Sequence, residues 1–168
     1  MKAAKRTKVT EDGAPKPRSV SRLAAVQALY QMDLAGTDLT DVIEEFTAQR
    51  FGETGDAESD NSLAGADETF FAEILRGVVR RQREIDPLVD TQLATGWRLV
   101  RVDSILRAIL RGGVFELMER PDVPGRVVIN EYINIAHAFF DDEEPKVVNG
   151  VLDKIAHSLR PKEFERKG

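Results

Sequence analysis

Apolar positions along this chain recur at intervals of three and four, and nowhere do they alternate with polar ones over a strand's length. That period is the signature of helices with one buried face. A first helix is predicted from Ser19 or Ser21, either of which can cap it, carrying Leu23, Val26, Tyr30 and Leu34 and closing at Gly36. Arg22 then falls in its first turn, against the positive end of the helix dipole. A short second helix carries Leu39, Val42, Ile43 and Phe46, with Asp38 or Thr40 as cap. From Asp67 the pairs Phe70–Phe71, Ile74–Leu75 and Val78–Val79 repeat every four positions and predict a third helix with a broad buried face. Arg76, Arg80, Arg81 and Arg83 lie on its other side, as a solvated face.

Asp86-Pro87 reads as the cap and first position of a fourth helix, reaching about Ala94. The fifth starts at Asp103 and shows Ile105, Leu106, Ile109, Leu110, Val114 and Leu117 at helical spacing. Gly112-Gly113 in its middle costs about 1 kcal/mol per glycine relative to alanine, and close approach of another helix is the expected return. Arg107 and Arg111 are placed on its exposed side. A sixth helix carries Val128, Ile129, Tyr132, Ile133, Ala136 and Phe139, ended by the acids Asp141 to Glu144. In the seventh, Pro145 suits the first turn, and Val148, Val151, Leu152, Ile155 and Leu159 form the stripe before Pro161. The expected fold class is all-α, a helical bundle of about seven helices in two packed halves.

Punctuation sets the organisation. Residues 1–17 are polar, hold Gly13, Pro15 and Pro17, lack any period, and are expected to form a disordered basic arm. A single all-helical domain follows over 18–161, with halves at about 18–83 and 84–161. Residues 53–66 form an acidic, small-residue insertion, and 162–168 a C-terminal tail.

Charge sharpens this picture. The chain of 168 residues has a formal net charge of −5, but residues 1–22 carry seven cations against two acids, a balance of +5 that leaves −10 for the rest. A basic arm on an acidic body can bind phosphate locally while the body resists indiscriminate contact with it. The absence of cysteine excludes disulfides and thiolate metal sites, and the two histidines exclude a histidine-rich one. No apolar signal core or membrane-length run is present, so a cytoplasmic protein is expected. Phosphate loops, nucleophile elbows and H-E-x-x-H pairs are missing, and His137 lies among apolar neighbours as a core or boundary residue. The expectation is a protein that is not an enzyme and takes no cofactor or metal. Lys146 and Asn149 near the start of the last helix either meet an oxygen-rich ligand at its first-turn N–H groups or serve backbone and solvent.

The wording D-V-P-x-x-V-x-I-N-E from Asp122, then V-N-G-V-L-D-K from Val148, resembles the NusB family of bacterial transcription antitermination factors. A-V-Q-A-L-Y at Ala25 to Tyr30 and F-E-L at Phe115 to Leu117 fall in the family's order, and the resemblance spans about residues 18–161. It implies an RNA-binding factor that pairs with NusE, a small-subunit ribosomal protein. The two hold single-stranded boxA RNA and support processive transcription of ribosomal RNA operons within the RNA polymerase antitermination complex. It leaves a homodimer open and implies no membrane partner. Carried over by position, Arg18 and Arg22 match the family's arginine-rich N-terminus, and Gln27 and Tyr30 match its first-helix motif. Phe139, Glu143 and Lys146 match positions near RNA. This chain departs at Val147, where many relatives place phenylalanine, and at Pro145, where relatives are more hydrophilic. Two alternatives stand beside this reading: a helical protein–protein adaptor, and an RNA-binding module like that of ribosomal RNA cytosine methyltransferases.

Overall fold

The structure is a computed structural model, and it describes residues 16–51, 63–94, 97–99, 102–141 and 143–165. Six α-helices are present among these: α1 Pro17–Ala35, α2 Leu39–Glu45, α3 Glu68–Gln92, α4 Ser104–Glu119, α5 Gly125–Phe139 and α6 Glu143–Leu159. A π-helical turn at Phe46–Arg50 extends α2, and a 3-10 turn at Pro161–Phe164 follows α6. No strand occurs among the described residues. The arm up to residue 15 and residues 53–62 of the expected insertion lie outside them. The chain forms two compact units, one running to Arg76 and the other from Gly77.

In the first unit α1 begins at Pro17, earlier than the serines suggest. Proline at the first helical position loses only an N–H that has no intrahelical partner, and Lys16 caps the helix without a side-chain bond. Ser19 and Ser21 are instead buried inside the helix. The Ser21 hydroxyl has Asp67 O at 2.6 Å and Pro17 O at 2.9 Å within reach of its one proton, which ties the start of α1 to the start of α3. Asp67 itself caps α3, its carboxylate accepting from the Phe70 N–H at 3.0 Å. Gly36 closes α1 at φ 66°, its N–H donating to Met32 O, and Asp38 caps α2 by accepting from the Thr40 N–H. Alanines 24, 25 and 28 let α1 lie close to its neighbours. The centre is aromatic: Phe71 stacks on Phe46 at 5.4 Å and meets Phe51 edge-on at 4.8 Å. Such pairs add about 0.5–1.5 kcal/mol each beyond the area they bury.

The expected break at Asp86-Pro87 does not occur. Helix α3 continues to Gln92 with Pro87 inside it, which merges the third and fourth expected helices and reduces seven to six. The reason is phase: Val78, Ile85 and Val89 are all buried at spacings of seven and four, so burial holds the helix through a proline that faces solvent.

In the second unit α4 is central. Leu106, Ile109, Leu110, Val114 and Phe115 are fully buried. A β-carbon at Gly112 would lie 2.9 Å from the Tyr132 ring of α5, and one at Gly113 would lie 2.8 Å from Leu152 of α6. The glycine pair is therefore where α5 and α6 approach α4 closely, as its cost demanded. Arg107 and Arg111 are not on an open face. Arg111 clasps Asp86 through two bonds of 2.9 Å, and Arg107 donates to Leu99 O at 2.9 Å. Arg111 is held by α3 itself and Arg107 by the connection after it.

One further arginine closes this unit. Arg160 is buried and donates to the carbonyls of Glu116, Leu117, Arg120 and Val123 at 2.5–3.1 Å. It thus satisfies the C-terminal carbonyls of α4, where a cation also meets the negative end of the dipole. Its neighbour Glu163 accepts from Arg160 at 3.1 Å and from the Gly125 N–H, the first of α5, at 2.8 Å.

Candidate nucleic-acid interface

The residues expected to meet RNA fall into two groups, one in each unit. In the first, the Arg18 and Arg22 guanidiniums lie 4.9 and 5.1 Å from the centre of the same ring, Phe70. They are one helical turn apart, so α1 delivers both to one side of α3. They differ in access: Arg18 is exposed, whereas Arg22 is 3% exposed. Because α1 starts at Pro17, Arg22 stands in its second turn, so the dipole conflict expected from a first-turn position does not arise. Gln27 and Tyr30 are half-buried farther along α1. At about 100° per residue Gln27 emerges about 180° from Arg18. The helix therefore brings the arginines together and turns Gln27 to its other side.

In the second unit Phe139, Glu143 and Lys146 gather at the α5–α6 corner. Phe139 ends α5 with 37% of its surface exposed, and Phe140 carries the chain out in extended backbone. Glu143 opens α6 and Lys146 follows one turn on, both exposed. This corner does not provide a bare helix N-terminus. Glu143 and Glu144 occupy the first turn, complementing the dipole and repelling an anion there. Lys146 and Asn149 sit in later turns, clear of the unpaired N–H groups. Val147, next to Lys146, is half-buried.

Arg80 and Arg81 are engaged elsewhere. Glu119 accepts from Arg80 and, at 3.1 Å, from Arg81, which also pairs with Glu84. Partial burial pushes the Glu119 carboxyl up, but the hydrogen bonds and charges of the two arginines outweigh it and hold the group below the usual carboxylate range. Glu84 and Glu119 raise Arg81 in turn. His137, placed at a core or boundary position by its neighbours, is exposed on α5. No cluster of three metal-ligating side chains occurs among the described residues, and no described helix is long and apolar enough to cross a membrane.

A groove of about 170 Å³ that the sequence pattern did not disclose adjoins the corner. Trp97, Leu93 and Gln92 form one side of it, and Val147, Gly150, Val151 and Lys154 of α6 the other. Its only sequence trace is a glycine in the middle of α6 that matches no turn or cap.

Residues 19–157 match the NusB family. The chain is similar to the transcription antitermination protein NusB of Sinorhizobium fredii, 52% identical over 143 residues that cover 85% of this chain and 88% of the relative. Among solved structures, NusB of T. maritima superimposes with a TM-score of 0.72 at 30% identity, covering 90% of this chain and 99% of that one. A NusB solved with NusE and double-stranded RNA shares the fold at a TM-score of 0.67 and 24% identity, covering 83% and 96%.

Proposed function

The chain belongs to the NusB family, and on that premise we propose that it is an RNA-binding transcription antitermination factor. With NusE it binds boxA RNA and promotes processive transcription of ribosomal RNA operons as part of the RNA polymerase antitermination complex, working in the cytoplasm and doing no chemistry itself. The observation that carries this is the identity to NusB over most of the chain. The solved assembly of a relative with NusE and RNA supports the choice of partners.

In this reading Arg18 neutralises a phosphate, and Arg22, pressed on the same ring, fixes where that cation stands. Gln27 offers an amide to a base edge and the Tyr30 ring a stacking surface. Phe139 presents an exposed ring, Lys146 a second phosphate contact, and the Glu143 carboxylate an acceptor for an exocyclic amine. The acidic body supplies few further cations, so NusE completes the surface. By linkage RNA then tightens the NusE pair by the factor with which NusE tightens RNA.

Fluorescence anisotropy with a labelled boxA RNA, with and without NusE, tests this. The expected result is weak binding alone and tight binding with NusE, with a salt slope that drops by roughly 0.7 for each phosphate contact removed. Binding to NusE alone, with no RNA response at low salt, would instead identify a protein–protein adaptor.

A further inference from the structure

Four glycines sit inside the described helices of the second unit, apart from the one that opens α5. Three of them are filled from outside: Gly77 by Phe115, Gly112 by Tyr132 and Gly113 by Leu152, each closer than 3.0 Å to the place of an added β-carbon. Gly150 is the exception. An added β-carbon there meets nothing within 4 Å. The residue is exposed in the middle of α6, so it weakens the helix with no packing return inside the protein. The space it leaves is part of the groove walled by Trp97, Leu93 and Val147.

Charge distinguishes the occupant. Lys146, Gly150 and Lys154 are spaced by four, so they share one face of α6, and both lysines are exposed. They stand about 12 Å apart along the helix; Lys154 lines the groove, and Lys146 lies one turn before Gly150, next to the lining Val147. The Asp90 carboxylate, at the end of α3 before the tryptophan loop, accepts from the Leu99 N–H at 2.9 Å. A ring wall, a floor without a side chain and a cation one turn to either side of that floor suit a planar base with a phosphate on either side. A polypeptide side chain would leave the two ammonium groups unmatched.

We propose that the groove over Gly150 is a pocket for one unpaired nucleobase of single-stranded RNA, which stacks on Trp97 while Lys146 and Lys154 take the flanking phosphates. This deepens the RNA-binding reading and rests on it. It adds Trp97, Gly150 and Lys154 to the interface and supplies beside Val147 the aromatic surface that Val147 cannot offer.

The test uses the full chain and a boxA-type single-stranded RNA at low salt. Trp97 is the one tryptophan in the sequence, so its emission reports this groove alone. Saturable quenching by RNA is expected. Gly150→Leu fills the groove at a position with room for a side chain, and leucine favours the helix, so thermal stability should hold or rise. Its RNA affinity should fall by roughly five-fold to a hundred-fold, the range for one stacked base, and quenching should vanish. Trp97→Phe should keep most of the affinity and Trp97→Leu should not. Lys154→Ala should flatten the salt slope by roughly 0.7. RNA affinity in Gly150→Leu equal to that of the unmodified chain, measured by anisotropy with NusE present, would overturn the pocket and leave the RNA-binding function standing. An unmodified chain that binds no RNA even with NusE would overturn both.

Discussion

The α4 side and the α6 side of the second unit treat the same residues in opposite ways. On α4, glycines are covered by Tyr132 and Leu152, and the last carbonyls are covered by Arg160. On α6, Gly150 is open, and Lys146 and Lys154 are exposed. The first side spends its glycines and its cation on the protein; the second leaves them facing outward. Glycine and a basic side chain therefore have no fixed meaning in this fold. What decides is whether another element arrives within van der Waals reach.

The contrast makes predictions of unequal size. Arg160→Ala removes a buried donor from four carbonyls and from Glu163, of which Glu116, Arg120 and Glu163 keep a backbone N–H, and should cost about 3–5 kcal/mol, read by urea denaturation. Gly113→Ala drives a methyl group to 2.8 Å from Leu152, and should cost about 1–3 kcal/mol despite alanine's better helix propensity. Gly150→Ala, chemically the same change, should have the opposite sign and stabilise by up to about 1 kcal/mol in the same denaturation series. Two glycine variants that shift stability in one direction would break the comparison.

The smallest effect concerns Glu119, the α4 partner of the α3 cations Arg80 and Arg81. The Glu119 carboxyl lies below its ordinary value when folded, so its contribution is fully present above the unfolded carboxylate range and is lost as pH falls through the folded value. Glu119→Gln should remove that part of the acid sensitivity and cost less than about 1 kcal/mol near neutral pH, because Arg80 is mostly exposed. Stability measured against pH for both proteins checks it.

How much of this was legible in the sequence varies with how local the cause is. Helical periods, the Asp38 and Gly36 caps and the purpose of the Gly112-Gly113 pair followed from spacing alone, since each is decided within a few residues. Pro87 was misread because a local stop signal competes with buried phase, and Ile85 and Val89 prevail. Ser21 was taken for a cap because its true acceptor, Asp67 O, is 46 residues away. The setting of Arg22 was likewise hidden: only the packing of α3 shows that both arginines share the Phe70 ring. The groove needed Trp97 and α6 brought together, and no spacing rule encodes that.

The Arg160–Glu163 clasp also bears on the order in which the chain is made. Its acceptors and the Gly125 N–H precede their partners by 37 to 44 residues. At about 5–20 residues per second, the end of α4 and the start of α5 wait a few seconds with those groups unsatisfied. Helix α4 can nucleate during that interval, but the turn that reverses the chain into α5 then has its local bonds, Arg120 to Asp122 and the Val123 N–H to Arg120 O, without the clasp. A nascent chain paused before Arg160 would thus carry its helices with a loose corner, and release from the pause would lock the unit in one step.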